Sequence, residues 1–136
     1  MLNKHVDVTE LIIKAFFAVY NTLGYGFSEK VYQGAMIIEL TRLGAKVLPQ
    51  HPINVYYRGI ITAEFFADLI VNDCVIVELK SVKELLDEHQ AQLLNYLRST
   101  QYEVGLLLNF GPEVKFQRKS YDNNRKGTLS WTAEAQ

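Results

Sequence analysis

Apolar residues recur at helical spacing near the start of the chain, with Ile12, Ala15, Phe16, Val19 and Leu23 forming one stripe behind Asp7-Val8-Thr9-Glu10, which has the order of a capping box. A helix from about Asp7 to Leu23 is therefore predicted, ending in Gly24-Tyr25-Gly26, where two glycines permit a tight, left-handed turn. Ser28 is placed to cap a second helix, through Val31, Ala35, Ile38 and Leu40 to Gly44. From Lys46 the period changes to two. Pro49 and Pro52 confine the next segment to an edge or an irregular entry before Ile53, Val55 and Tyr57, and Arg58-Gly59 reads as a hairpin turn. Strands from about Ile61 to Val71 and from Val75 to Ser81 follow, separated by Asn72-Asp73 turn chemistry, to complete an antiparallel meander. Asp87 reads as the cap of a third helix reaching about Ser99, Val104 to Leu108 as a buried strand, and Val114 to Tyr121 as an edge strand. Helix, helix, three strands, helix and one or two strands predict an α/β fold: a mixed sheet with helices on its faces.

Charges interrupt this pattern where it is most apolar. Asp68 ends one strand run, and Glu78-Leu79-Lys80 is embedded in the next. Burying such groups unpaired costs several kcal/mol or shifts their pKa. Glu78 and Lys80, two apart, project to the same face. Whether Asp68 joins them depends on the turn. A two-residue loop at Asn72-Asp73 would put Asp68 opposite Val77 and separate the acids, whereas a three-residue loop through Cys74 puts Asp68 opposite Glu78. An odd-length loop or a one-residue bulge is therefore predicted here.

Two adjacent carboxylates are most simply held ionised by a divalent cation with oxygen ligands, so Mg²⁺ or Mn²⁺ is expected, with water and phosphate oxygens completing the shell. Zinc is a poor match: His5, His51 and His89 are scattered and Cys74 is the only cysteine. Lys80 beside the cation would activate a water or stabilise charge on a phosphoryl group. The same three residues fit an internal ion pair equally well. On helix faces, Glu29 and Tyr32 lie three apart in a first turn, and His89, Gln92 and Tyr96 line up at i, i+3 and i+7.

Composition bounds the rest. With 136 residues, 49% apolar and 21% charged, the chain suits one globular domain, expected over 1–121 with a tail at 122–136. A net charge of −1 does not advertise nucleic-acid binding, and the cluster Lys115, Arg118, Lys119, Arg125 and Lys126 reads at least as well as a solvated face. One cysteine, no signal-peptide pattern and no bilayer-length apolar run make a cytoplasmic setting without a membrane the default.

Asp68 followed by Glu78-x-Lys80 resembles the PD-(D/E)XK nuclease superfamily, with Ala67 where the motif's proline often stands. Gly26-x-x-Glu29-x-x-Tyr32, preceded by Leu23-Gly24, is similar to the signature of the GxxExxY family within it. That similarity extends through Tyr56-Tyr57-Arg58-Gly59, Gln92-Leu93-Leu94-Asn95-Tyr96-Leu97 and Gly105-Leu106-Leu107-Leu108-Asn109-Phe110. The resemblance implies a restriction-endonuclease-like fold whose metal centre takes Asp68, Glu78, the carbonyl of Leu79 and, as in the RecB-like branch, a helix acid matching Glu29. It further implies a Gln-x-x-x-Tyr motif in Gln92 and Tyr96 that lies beside the catalytic lysine or contacts DNA, with Tyr32 in support.

The expected function is hydrolysis of phosphodiester bonds in nucleic acid, DNA being favoured over RNA, by a metal-activated water with Asp68 and Glu78 as ligands and Lys80 as activator. Small nucleases of this fold often act as homodimers. The rival expectation is a non-catalytic nucleic-acid-binding or protein-interaction module on the same scaffold. A small-molecule enzyme is disfavoured, since Gly24-Tyr25-Gly26 joins two helices and lacks the strand-to-helix setting of a phosphate loop.

Overall fold

A computed structural model describes residues 4–127. Its elements run α1 (Val6–Leu23), α2 (Glu29–Arg42), β1 (Val47–Tyr57), β2 (Ile60–Val71), β3 (Val75–Lys80), α3 (Asp87–Arg98), β4 (Val104–Phe110) and β5 (Val114–Ser120), followed by a 3-10 turn at Asn123–Arg125. The strands form one sheet in chain order. Only β3 and β4 are parallel, as the α3 crossover between them requires; the other neighbours are antiparallel. This is the α/β mixed sheet with helices on both faces that the element order predicts.

Strand parity sorts the core. Val75, Val77 and Leu79 pack beneath α1 and α2, against Ile12, Phe16, Tyr32 and Met36. Ile76, on the alternate face, packs with Leu93, Tyr96 and Leu97 of α3. The interior strand β4 is buried at every position, which accounts for the apolar run from Val104 to Leu108. Each fully buried Leu, Ile or Val contributes roughly 1.5–3 kcal/mol, so the two layers hold β3 rigidly from above and below.

The loop between β2 and β3 has the predicted odd length. Val71 pairs with Val75, leaving Asn72, Asp73 and Cys74 as a three-residue connection. Asn72 and Asp73 take left-handed φ values of 50° and 58°, which their short polar side chains tolerate. Asn72 Oδ1 accepts from Lys46 N–H at 2.8 Å and Asp73 pairs with Lys46 Nζ at 3.0 Å. Arg58-Gly59 likewise forms the two-residue hairpin turn, with Tyr57 opposite Ile60.

Two predicted caps are corrected. Helix α1 starts one residue earlier than Asp7, behind His5 in a left-handed conformation, and no side chain caps it. Asp87 is the first residue of α3 and not its cap; Leu86 holds that position, and its N–H donates to His89 Nδ1 at 3.0 Å. His89, from inside the helix, thus satisfies a donor that a polar cap residue would otherwise leave to water.

Beyond β5 the chain stays on the body. Lys126, 5% exposed, donates from Nζ to Thr100 O at 2.7 Å and to Tyr102 O at 2.8 Å, satisfying carbonyls just past the end of α3. Arg118 donates to Lys4 O, and Arg125 lies over the Tyr121 ring. Residues 128–136 of the expected tail lie outside the described residues. No helix among the described residues is long and apolar enough to cross a membrane.

Candidate functional site

The site begins where β2 parts from β3. Their last ladder pair is Leu69 with Val77. One step further, Asp68 Oδ2 accepts from Leu79 N–H at 2.7 Å, in the place a β2 carbonyl would hold had the ladder continued. On its other side β2 misses one rung of its ladder to β1: pairing skips from Pro49–Leu69 to His51–Ala67 without a change of register, and Gln50, at the skipped rung across from Asp68, adopts φ 49°. Ala67 and Ile70, three apart, both pack on the α3 side, so strict alternation breaks at Asp68. Gln50 Nε2 donates to Gln33 Oε1 at 2.7 Å and reaches Asp68 Oδ1 at 3.4 Å. Neither glutamine carried a signal in the sequence, because a non-glycine residue at positive φ leaves no compositional mark.

Glu78 stands next to Asp68 on the α3 face and is 7% exposed, and its Oε1 has no hydrogen-bond partner among the described residues. Burial, and after it the Asp68 charge, pushes its carboxyl from an ordinary 4.5 up to about 9, against a smaller opposing pull from Lys80. Without a cation Glu78 is therefore protonated at neutral pH. Lys80 is half-buried at the end of β3, opposite Asn109, and its ammonium has no hydrogen-bond partner among the described residues.

From the other layer α3 delivers Tyr96 to this pair. The hydroxyl is pushed up to about 12, first by burial and then by the charges of Glu78 and Asp68. Gln92 Nε2 donates to Tyr96 Oη at 3.0 Å, so the two are coupled one turn apart, as their spacing predicts.

The glycine-rich joint and its neighbours form a clasp on the end of β3. Gly26 has φ 112°, a region that disfavours L side chains. Tyr32, fully buried, donates to Gly24 O at 2.6 Å, accepts from Phe27 N–H at 3.3 Å and stacks on Phe110 at 4.1 Å between centroids. Glu29 Oε2 accepts from Ser81 N–H at 3.3 Å, while Ser81 Oγ donates to Phe27 O at 2.8 Å. Asn109, absent from the predicted site, grips the next residue: its Oδ1 accepts from Val82 N–H and its Nδ2 donates to Val82 O, both at 3.0 Å. A Cβ at Gly111 would lie 2.3 Å from Val82 O, so only glycine passes there. Lys80 is thereby held between elements that are each fastened to the segment following it.

The donor set suits a hard divalent cation. Mg²⁺ is commonly held by one or two carboxylates with water and phosphate oxygens making up the rest, and a buried, unpartnered carboxylate oxygen beside a second carboxylate is an arrangement that a cation would satisfy. Among the described residues no third His, Cys, Asp or Glu joins the pair to make a metal-binding cluster. The Glu29 carboxylate is engaged instead with Ser81.

No curated protein and no solved structure matches the chain. A family model does, described as the PD-(D/E)XK nuclease superfamily, over residues 6–120, from the first helix through the last strand. With the match spanning most of the chain and both acids and the lysine of its motif gathered at one fork of the sheet, the chain belongs to the PD-(D/E)XK nuclease superfamily.

Proposed function

We propose that the protein is a divalent-metal-dependent nuclease of the GxxExxY branch, hydrolysing phosphodiester bonds of nucleic acid, with DNA favoured over RNA, in the cytoplasm. The single observation that carries this reading is the buried Oε1 of Glu78, which has no hydrogen-bond partner among the described residues and stands beside Asp68. The clasp built by Gly26, Glu29 and Tyr32 supports the branch. Asp68, Glu78 and the carbonyl of Leu79 would hold Mg²⁺ or Mn²⁺. Such a cation supplies neutralisation of the paired carboxylates, a water made more acidic and a Lewis acid for phosphoryl oxygen.

The chain's own residues do the rest. Gln50 and the Leu79 N–H fix the Asp68 carboxylate, leaving its orientation independent of ligand. Lys80 Nζ, with no hydrogen-bond partner among the described residues, is placed to donate to the attacking water or to the phosphoryl oxygens where charge develops. Water oxygen would bond to phosphorus as the bond to the leaving sugar oxygen breaks, the water losing a proton to solvent and the sugar oxygen taking one up from solvent. Glu29, at the same end of β3, orients water from its anchored position on Ser81. Gln92 and Tyr96 line the substrate side.

A non-catalytic binding module is the competing reading, favoured by a net charge of −1 that leaves little general affinity for phosphates. A cleavage assay with Mg²⁺ or Mn²⁺ on single-stranded, duplex and branched DNA and on RNA separates the two. The nuclease reading expects turnover that Lys80→Ala and Asp68→Asn reduce by at least ~10²-fold while binding persists. Binding without turnover on every substrate would establish the module instead.

A further inference from the structure

Beside the carboxylate pair, a cleft of ≈ 780 Å³ opens between the β1–β2 hairpin and the outer side of α3, walled by Val55, Phe65, His89, Gln92, Asn95 and Tyr96. That volume falls within the ~300–1,000 Å³ of clefts that take a small organic group. We propose that this cleft receives an unpaired nucleobase, stacked on Phe65, from the strand whose phosphodiester lies at Asp68, Glu78 and Lys80. The inference rests on the nucleic-acid reading above and adds the form of the substrate: a single-stranded or locally opened segment.

Four observations carry it. Phe65 is 40% exposed where it lines the cleft, and its ring stands 5.8 Å from that of Tyr96 at a tilt of 41°, so an aromatic surface braced by a second ring is presented there. Tyr96 lines the cleft and also packs in the layer with Ala67 and Ile76, which neighbour the two acids on β2 and β3, and its hydroxyl accepts from Gln92 Nε2. A base in the cleft is therefore attached to a backbone that passes the acids. Asn95 and Arg98, on the same wall, spend no side-chain hydrogen bond on the described chain, so an amide and a guanidinium remain for a base edge or a flanking phosphate.

The fourth observation is electrostatic. Proteins that hold duplex through its backbone rely on a basic surface, but this chain has a net charge of −1. Of the five C-terminal cations, Arg118 and Lys126 donate to main-chain carbonyls and Arg125 lies over the Tyr121 ring, leaving Lys119 and Lys115, the latter in an exposed 3.5 Å pair with Glu113. Affinity must come from elsewhere, and base–aromatic stacking supplies it without sequence preference, provided the base is unpaired. Paired bases in a duplex are already stacked and do not reach such a wall.

The test uses the full chain with Ca²⁺ replacing Mg²⁺ to hold turnover down, and fluorescence anisotropy of labelled 12-mers: a DNA single strand, the same sequence as blunt duplex, and a single strand with all bases removed. The expected result is at least tenfold tighter binding of the single strand than of the duplex or the abasic strand. Phe65→Ala weakens the normal strand about tenfold, leaves the abasic strand unchanged, and Phe65→Trp restores the loss. Phe65→Leu, which keeps the apolar contact with Tyr96, also loses affinity, separating stacking from folding. Equal binding of duplex and single strand, absence of binding to either, or equal effects of Phe65→Ala on normal and abasic strands overturns the proposal. Phe65-dependent binding without cleavage in Mg²⁺ would sink the nuclease reading and leave this one standing; duplex cleavage indifferent to Phe65 would do the reverse.

Discussion

Glu78 occupies a position that the folded chain makes expensive for a charge and useful for a cation. Its carboxyl titrates near 9 in the fold and near 4.5 when free, so between these values the folded chain keeps a proton that the unfolded chain releases. Stability from this residue is complete below pH 4.5, falls as pH rises through that window, and levels off above about 9. Lys126, pushed down to about 8 by burial, has the opposite sign, since stability rises as its folded form loses a proton before the unfolded chain does; that acts only from about pH 8 upward. The interval from pH 5 to 8 therefore isolates Glu78. Urea unfolding in EDTA should show wild-type stability declining across it, while Glu78→Gln, neutral and of the same size, declines less and exceeds wild type at pH 8 by on the order of 2 kcal/mol. Added Mg²⁺ should raise the Tm of wild type, more at pH 8 than at pH 6, and leave the variant unmoved. A wild-type curve that stays flat in EDTA would mean that Glu78 finds water or a partner in solution, and the case for a cation there would lapse.

At the scale of elements, the placement of Lys80 depends on how β3 is finished. Two clasps hold the residues that follow it: Tyr32 ties the α1–α2 joint together while that joint binds Ser81, and Asn109 pairs both backbone groups of Val82. The clasps differ in what their loss leaves behind. Tyr32→Phe keeps the stack on Phe110 and removes one hydroxyl, so it should cost about 1 kcal/mol. Asn109→Leu keeps the volume but strips partners from two part-buried backbone groups, so roughly 2–4 kcal/mol is expected. Chemical denaturation gives both numbers, and equal costs would argue that Asn109 is replaced by water. The two residues also differ in legibility. Tyr32 was visible through the motif that contains it, although as a candidate in the site and not as a strut. Asn109 stood in a block of family similarity but without a role, because an asparagine at the end of an apolar strand run looks like any strand terminator; its partner lies 27 residues away in the chain. The helices, the meander and the odd loop at Asn72 to Cys74 were readable because periodicity and parity are local. The cap of α3 was misread because apolar Leu86 holds the position where sequence rules look for a polar side chain, while His89, inside the helix, accepts from the Leu86 N–H.

Across the whole molecule, the distribution of charge decides how a substrate is held. Composition predicted weak general affinity for phosphate, and the structure supplies the reason that composition lacks: much of the basic cluster near the C-terminus is occupied in securing the chain to itself. Among the described residues, the cations with no side-chain hydrogen bond along a strand's path past the acids include Lys80 at the fork, Lys83 beyond it and Arg98 at the cleft. Neutralising about three phosphates of a single strand gives a slope of roughly −2 in log K against log salt, since each contributes about 0.7. Binding of a 12-mer single strand in Ca²⁺, measured from 50 to 300 mM KCl, should thus weaken by only a few tens of fold. Arg98→Gln should flatten the slope by a little under one, whereas Phe65→Ala should lower affinity by the same factor at every salt concentration, because stacking releases no counterions. A slope steeper than about −5 would require a long phosphate track over the surface. Affinity would then be electrostatic, and the stacking cleft would have no part in holding the strand.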